Sequence, residues 1–238
     1  MSTKYNKKTK TNVKTSGRST HYMQKAAYFT VLLCLLTTAI TAEAKSLREL
    51  WQVMPDSLTP SLNRNLRIEM TDLQDMKVKA EVTNMLGDTS IMDTLTSNFS
   101  QVRINRSCTV QLKLLPTTNG DSVICMVKTL AAPERESEVT LYNQQWQVLD
   151  TDLTFGGKSL ASLPATLIQK PDTMSEERFE ELQKTIEPKM MSAQLFEHED
   201  AIVFCLSLPL LPNEEKKQTR AIKVQRKFKW NNKTFNEG

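Results

Sequence analysis

Few residues in this 238-residue chain have the type and spacing for chemistry, and each has a competing structural reading. Only two histidines occur, His21 and His198. His198 sits in Glu197-His198-Glu199-Asp200, whose donors could hold a cation weakly, but the same short polar residues suit a solvated hairpin turn. A zinc site of the H-E-x-x-H kind needs a second histidine close by, and His198 has none. Neither G-x-S-x-G nor S-x-x-K occurs, so the common serine-nucleophile signatures are missing. Cys205 lies a few residues beyond His198, yet its apolar run Ala201-Ile-Val-Phe-Cys-Leu206 disfavours a thiolate. Gly157-Lys158-Ser159 imitates the end of a phosphate-binding loop, but Asp152 stands where that motif requires its first glycine. Asp150 and Asp152 would share a face of extended chain and could contribute to a Ca²⁺ site, although one pair is far from a full ligand set. No catalytic, cofactor-binding or metal-ligating residue is assigned from these patterns.

The most suggestive segment is basic. Between Lys216 and Lys233, Arg220, Lys223, Arg226, Lys227 and Lys229 interleave with Phe228 and Trp230. In a cytosolic protein this pattern would suggest nucleic acid, and in an exported one a polyanionic glycan or lipid headgroups. An edge strand that uses lysine to discourage sheet-to-sheet association is the structural alternative. Together with Trp51 and Trp146, the residues Lys227, Phe228 and Trp230 make a candidate interaction surface.

The N-terminal region decides between these readings. Lys25 leads into the apolar run Ala26–Ala42, which ends in Ala42-Glu43-Ala44. A basic start, a short apolar stretch and small residues at the two positions a signal peptidase reads are the parts of a secretory signal. The run is too short and too rich in Thr30, Thr37, Thr38 and Thr41 for a membrane-spanning helix. Leu33 before Cys34 speaks against a lipoprotein signal. Residues 1–44 are therefore expected to be a signal peptide, with translation beginning at Met1 or at Met23. Seven of the 31 Lys and Arg and one of the 27 acidic residues fall in 1–44, which leaves 24 against 26 and a net charge of −2. The overall basicity belongs to the discarded part, so neither nucleic acid nor an anionic membrane is an expected partner.

The remaining residues, 45–238, are long enough for one domain with a real core, or for two subdomains divided within 150–174. Ser46-Leu-Arg-Glu49 is a capping box, and Leu47, Leu50, Trp51 and Met54 share the face of the helix it opens. A second helix is expected with Thr59 as N-cap and Pro60 in its first turn, burying Leu62, Leu66, Met70 and Leu73. Alternation then predicts strands over Met76–Val82, Ile91–Leu95 and Val102–Ile104. A hairpin follows, with Val110, Leu112 and Leu114 on one arm, Asn119-Gly120 at the turn and Ser122–Leu130 returning. That turn would put Cys125 opposite Leu114, so a Cys108–Cys125 bridge is not expected and buried free thiols are. Glu138–Tyr142 and Trp146–Leu149 continue the meander. Residues 150–173 read as connection, and Ser175 caps a helix with a buried stripe of Phe179, Leu182 and Ile186. A second hairpin over 189–208 turns at Glu197–Asp200, and Ile222–Trp230 forms a last strand. This order argues for an α+β fold of antiparallel sheets built from hairpins and a meander, with helices packed on one face.

Five segments carry a resemblance to a known family. Leu50-Trp-Gln-Val-Met-Pro-Asp56, Asp75-Met-Lys-Val-Lys-Ala-Glu81, Leu112-Lys-Leu-Leu-Pro116, Lys170-Pro-Asp-Thr-Met-Ser-Glu-Glu-Arg-Phe179 and Ser207-Leu-Pro-Leu-Leu211 together resemble exported Bacteroidales proteins. That family is known as domain of unknown function 3256, and the match runs from about Leu47 to Phe235. The resemblance implies a Gram-negative envelope location, in the periplasm or at the cell surface, and carries over no catalytic residue. The expected function is a non-catalytic role in binding a macromolecular partner or in envelope assembly. The alternative is a glycan hydrolase that works with carboxylates alone.

Overall fold

The computed structural model describes Met1 and residues 45–131, 134–149, 154–186, 189–208 and 211–238. The expected signal peptide over 1–44, its alternative start at Met23 and the Asp150–Asp152 pair lie outside the described residues.

The capping box forms as its spacing requires. The Ser46 hydroxyl accepts the Glu49 N–H at 3.3 Å, and the Glu49 carboxylate accepts the Ser46 N–H at 2.8 Å. The helix so started, α1 (Leu47–Val53), buries Leu47, Leu50 and Trp51 and stops before Pro55, which has no N–H to continue it. The second helix, α2 (Arg64–Asp75), begins four residues later than expected. Asn63, not Thr59, is its N-cap, with the Asn63 side chain accepting the Leu66 N–H at 3.1 Å. Thr59 instead closes a turn in which its carbonyl accepts the Leu62 N–H.

Arg67, on α2, fixes how the two helices meet. Its guanidinium is 1 % exposed and donates to the carbonyls of Trp51 at 3.0 Å, Leu62 at 2.6 Å and Met54. These include carbonyls at the end of α1, where a helix leaves acceptors without intrahelical partners.

Six strands follow as an antiparallel meander in sequence order: β1 (Ala80–Thr83), β2 (Thr89–Leu95), β3 (Phe99–Asn105), β4 (Cys108–Pro116), β5 (Ser122–Ala131) and β6 (Arg135–Tyr142). We call this sheet A. The first strand is shorter than the alternation of Met76, Val78, Ala80 and Val82 predicts. Lys77 takes a left-handed φ of 57°, which breaks the extended chain and leaves Met76 and Val78 exposed. The β4–β5 hairpin is shifted by one residue from expectation. Asn119-Gly120 lies in a longer loop closed at Pro116↔Ser122, so Cys125 faces Lys113 rather than Leu114. Cys108 faces Leu130, far from Cys125 in the ladder, and both thiols are free.

The two faces of sheet A are covered differently. Even-numbered residues such as Val102, Val110, Leu112, Ile124 and Met126 pack under α1 and α2 with Trp51 and Met70. Odd-numbered residues Leu115, Cys125, Val127, Val139 and Leu141 pack against a second sheet. This second sheet, sheet B, has the order β8-β7-β12-β11-β10-β9. Its strands are β7 (Thr154–Phe155), β8 (Lys158–Ser159), β9 (Met190–Leu195), β10 (Ala201–Ser207), β11 (Arg226–Trp230) and β12 (Phe235–Glu237). The stretch expected to be mere connection thus holds β7, β8 and the short helix α3 (Leu163–Thr166). Gly156 and Gly157, both at positive φ, make the two-residue turn between β7 and β8, so Gly157-Lys158-Ser159 is hairpin rather than phosphate loop.

Helix α4 (Glu176–Thr185) is capped by Ser175 as expected, and a last helix, α5 (Asn213–Thr219), precedes β11. The shared core between the sheets is closed by Leu163, Leu167, Leu182 and Ile186. At its centre Phe155 stacks on Phe235 at 5.2 Å and meets Phe204 edge-on at 4.9 Å.

Candidate functional site

The residues singled out by type and spacing are mostly engaged in the fold. Trp51 is 0 % exposed, and Trp146 is 7 % exposed, with its indole N–H donating to the Leu50 carbonyl at 3.1 Å. Phe228 is 2 % exposed within the aromatic cluster of sheet B. These three side chains pack instead of presenting a surface. Trp230 is partly buried against Phe235 and donates to the Pro116 carbonyl at 2.6 Å, tying sheet B to the β4–β5 loop. Lys227 pairs with Glu199 at 2.5 Å and lies 5.4 Å from the Phe196 ring centre.

The basic segment is not an edge. Strand β11 is hydrogen-bonded to β10 on one side and β12 on the other, and Arg226 pairs with Glu237. His198 is exposed on the β9–β10 turn, 3.8 Å from Glu197. Beneath that turn the buried Lys113 of β4 donates to the Glu197 carbonyl at 2.7 Å and pairs with Asp200 at 3.3 Å. The turn is therefore anchored to sheet A. Among the described residues no group of three or more His, Cys, Asp or Glu could hold a metal ion, and no helix is long and apolar enough to cross a membrane.

A different surface emerges from the way the sheets cross. Cross-strand neighbours form one row over all six strands of sheet A: Glu81, Ile91, Arg103, Thr109, Thr129 and Ser137. The next row reads Gln101, Gln111, Val127 and Val139, and the one after reads Phe99, Lys113, Cys125 and Leu141. Polarity thus gives way to apolar side chains along a diagonal, and that diagonal is the line where sheet B begins to cover sheet A. On the uncovered side the odd-numbered face is open and polar.

Strand β9 forms the wall of this open face. Its outward N–H groups would be unpaired, since β9 is the last strand of sheet B. Sheet A supplies the partners: the Ser137 hydroxyl accepts the Ala193 N–H at 2.9 Å, and the Gln111 side chain accepts the Leu195 N–H at 3.0 Å. The angle between wall and floor encloses a cleft of about 290 Å³ between Arg103, Thr109, Thr129 and Arg135 on sheet A and Ser192 and Gln194 on β9. A wider groove of about 770 Å³ continues past Arg103 and Thr109 to Arg106 and the β1–β2 turn at Gly87–Thr89. A third concavity joins Arg103 to Lys77, Lys79 and Asp93. Arg103 is common to all three.

The charges on this face are arranged for contact more than for proton transfer. Arg103 grips Asp93 through two nitrogens at 2.6 and 2.9 Å, and this pairing raises the guanidinium's affinity for its proton. Lys79 pairs with Glu81. Elsewhere Glu49 is held below the usual carboxylate range by its hydrogen bonds to Ser46, and Glu199 by its bond to Lys227. A glycoside-hydrolase acid needs the opposite shift. The thiols are unsuited to nucleophilic work: burial raises Cys108 and Cys205 and pushes Cys125 up to about 12.

Sequence reasoning missed Arg103, Thr109, Thr129 and Arg135. Each is an ordinary outward position of an alternating strand; only strand register brings Arg103, Thr109 and Thr129 into one row, with Arg135 beside them in the cleft.

The class defined by these features is an α+β protein in which a helix-backed antiparallel sheet meets a second sheet and leaves part of one face open. The chain belongs to the family described as protein of unknown function (DUF3256), whose sequence model matches residues 39–235. Its fold is similar to that of a domain of an uncharacterized protein from Porphyromonas gingivalis W83. That likeness has a TM-score of 0.66 at 22 % identity and covers 82 % of this chain and 100 % of the other. No curated protein matches the chain.

Proposed function

We propose that this chain is an exported, non-catalytic protein of the bacterial cell envelope that binds another macromolecule on the open face of sheet A. The observation that carries the reading is the row Arg103–Thr109–Thr129, an exposed guanidinium followed by two half-buried hydroxyls, lying against the β9 wall. The carboxylates near it, Asp93 and Glu81, are already ion-paired, which supports binding over acid–base chemistry. Export is supported by the signal-like pattern over 1–44. The second reading is a hydrolase of envelope glycans that uses Asp93 or Glu81.

Three measurements test the proposal. Fractionation of cells should recover the protein from the envelope, and recovery from the cytosol with residues 1–44 still attached would refute export. Filling the open face with Thr109→Trp should release the protein from envelope material without altering its circular dichroism. Hydrolysis of envelope glycans by the purified protein, abolished by Asp93→Asn or Glu81→Gln, would replace the binder with the hydrolase.

A further inference from the structure

Charge on the open face runs against the charge of the chain. Residues 45–238 carry a net of −2, yet the cleft and groove on this face are lined by Arg103, Arg106 and Arg135 against Asp88, and the concavity at the sheet edge that shares Arg103 adds Lys77 and Lys79 against Asp93. Glu81, paired with Lys79, adds one more carboxylate at the margin. Among the described residues Arg106 and Arg135 have no ion-pair partner, and both are exposed. Two free guanidinium groups therefore flank the Arg103–Asp93 pair.

The remaining lining is just as specific in kind. Gln101, Thr109, Thr129, Ser192 and Gln194 offer amide and hydroxyl groups that both donate and accept, while the buried Gln111 is taken up by Leu195 and Gln101. No aromatic side chain lines any of the three concavities. The row crosses six strands, and at about 4.8 Å per strand it is roughly 24 Å long. It lies across the strands, where the sheet's own backbone groups are used in the ladder, so recognition there falls to side chains.

We propose that the groove receives an acidic polysaccharide, an inference that rests on the open face being the binding surface. Arg103, Arg106 and Arg135 would meet its carboxylate or sulfate groups, and the Gln, Thr and Ser side chains its hydroxyls. A nucleic acid strand would call for stacking platforms, which the lining lacks. An extended peptide would call for apolar side-chain pockets, and Ile91 is the one apolar member of the row. A lipid tail finds no apolar channel here.

The test is direct binding by the protein purified from cells. The probes are an oligogalacturonate and a sulfated oligosaccharide, with a neutral glucan and poly-glutamate of similar length as comparisons. Both acidic oligosaccharides should bind, more weakly as salt rises, while the neutral glucan and poly-glutamate should not. The Arg106→Ala/Arg135→Ala variant, altered only at exposed positions, should lose about tenfold or more in affinity. Lys184→Ala on α4 should leave binding unchanged. Equal binding of poly-glutamate would overturn the sugar assignment in favour of an acidic peptide, and undiminished binding by the double variant would overturn the site. If both acidic oligosaccharides fail while Thr109→Trp still releases the protein from the envelope, this inference falls and the open face stands. If Thr109→Trp also has no effect, the reading of the face falls too.

Discussion

The side-chain carbonyl of Gln111, on the fourth strand of sheet A, accepts the backbone N–H of Leu195, on the last strand of sheet B, at 3.0 Å. With the companion bond from Ala193 to Ser137, it gives an otherwise bare sheet edge its partners, and it does so from the floor of another sheet. Gln111 is 7 % exposed and also donates to Gln101 at 2.8 Å. The corner that forms the cleft is therefore held by polar side chains as well as by the apolar core.

Gln111→Leu keeps the bulk and removes the acceptor. The Leu195 N–H is then left buried without a partner, at a cost of about 1–3 kcal/mol. Urea denaturation should show that loss. Hydrogen exchange at Leu195 should accelerate more than at Phe204, which lies on β10 between two paired strands.

Arg67→Ala should be among the most damaging single changes. It strips the guanidinium from the carbonyls of Trp51, Met54 and Leu62 at the junction of the first two helices and leaves a cavity there, and we expect a loss of about 3 kcal/mol or more. Asp56→Asn removes only the charge of the partner at 2.8 Å, whose side chain is 57 % exposed and screened by water. That change should cost no more than about 1 kcal/mol. Equal effects in chemical denaturation would contradict this division of roles.

Asn84 sets the turn that borders the groove. Its side-chain amide donates to the Ser90 hydroxyl and the Ile104 carbonyl, each at 3.0 Å, and its side-chain oxygen accepts the N–H groups of Leu86 and Asp88. Asn84→Ala should cost about 2 kcal/mol. Hydrogen exchange at Leu86 and Asp88 should rise most, and the affinity of any groove ligand should fall with it.

The cysteines give a pH prediction. Burial raises Cys125 from 9.0 to about 12, so between those values the unfolded chain has lost a thiol proton that the folded chain keeps. Stability from this group is complete below pH 9.0 and declines as pH rises toward 12. Cys108 and Cys205 shift in the same direction and add to the decline. Alkylation of the native protein at about pH 8 should be slow at all three and slowest at Cys125, becoming fast in denaturant. Rapid native labelling of Cys125 would show that its site is open to solvent.

Much of the local architecture was legible in the sequence for local reasons. Ser46 and Glu49 form their reciprocal cap because both partners lie within one helical turn. The turn at Glu197–Asp200, the hairpin arms around it and the Ser175 cap were legible in the same way. Errors arose where a short-range signal had a rival close by. Thr59-Pro60 reads as a helix start, but the cap falls at Asn63, and Asn119-Gly120 reads as the hairpin turn when the hairpin closes over a longer loop. A shift of one residue there moves Cys125 from Leu114 to Lys113, because side chains alternate faces along a strand.

The candidate site shows the limit most clearly. Trp51, Trp146 and Phe228 attract notice by type, and tertiary packing buries all three. Arg103, Thr109 and Thr129 attract none, and they become neighbours because three strands pair in one register. What the sequence alone determined is the α+β class, the caps at Ser46 and Ser175, the longer hairpin arms and membership of a family, since these depend on residues near one another in the chain. The tertiary structure decided which polar faces meet water and which are covered. That choice depends on the angle at which sheet B crosses sheet A, and the crossing is fixed by contacts such as Gln111 to Leu195, 84 residues apart.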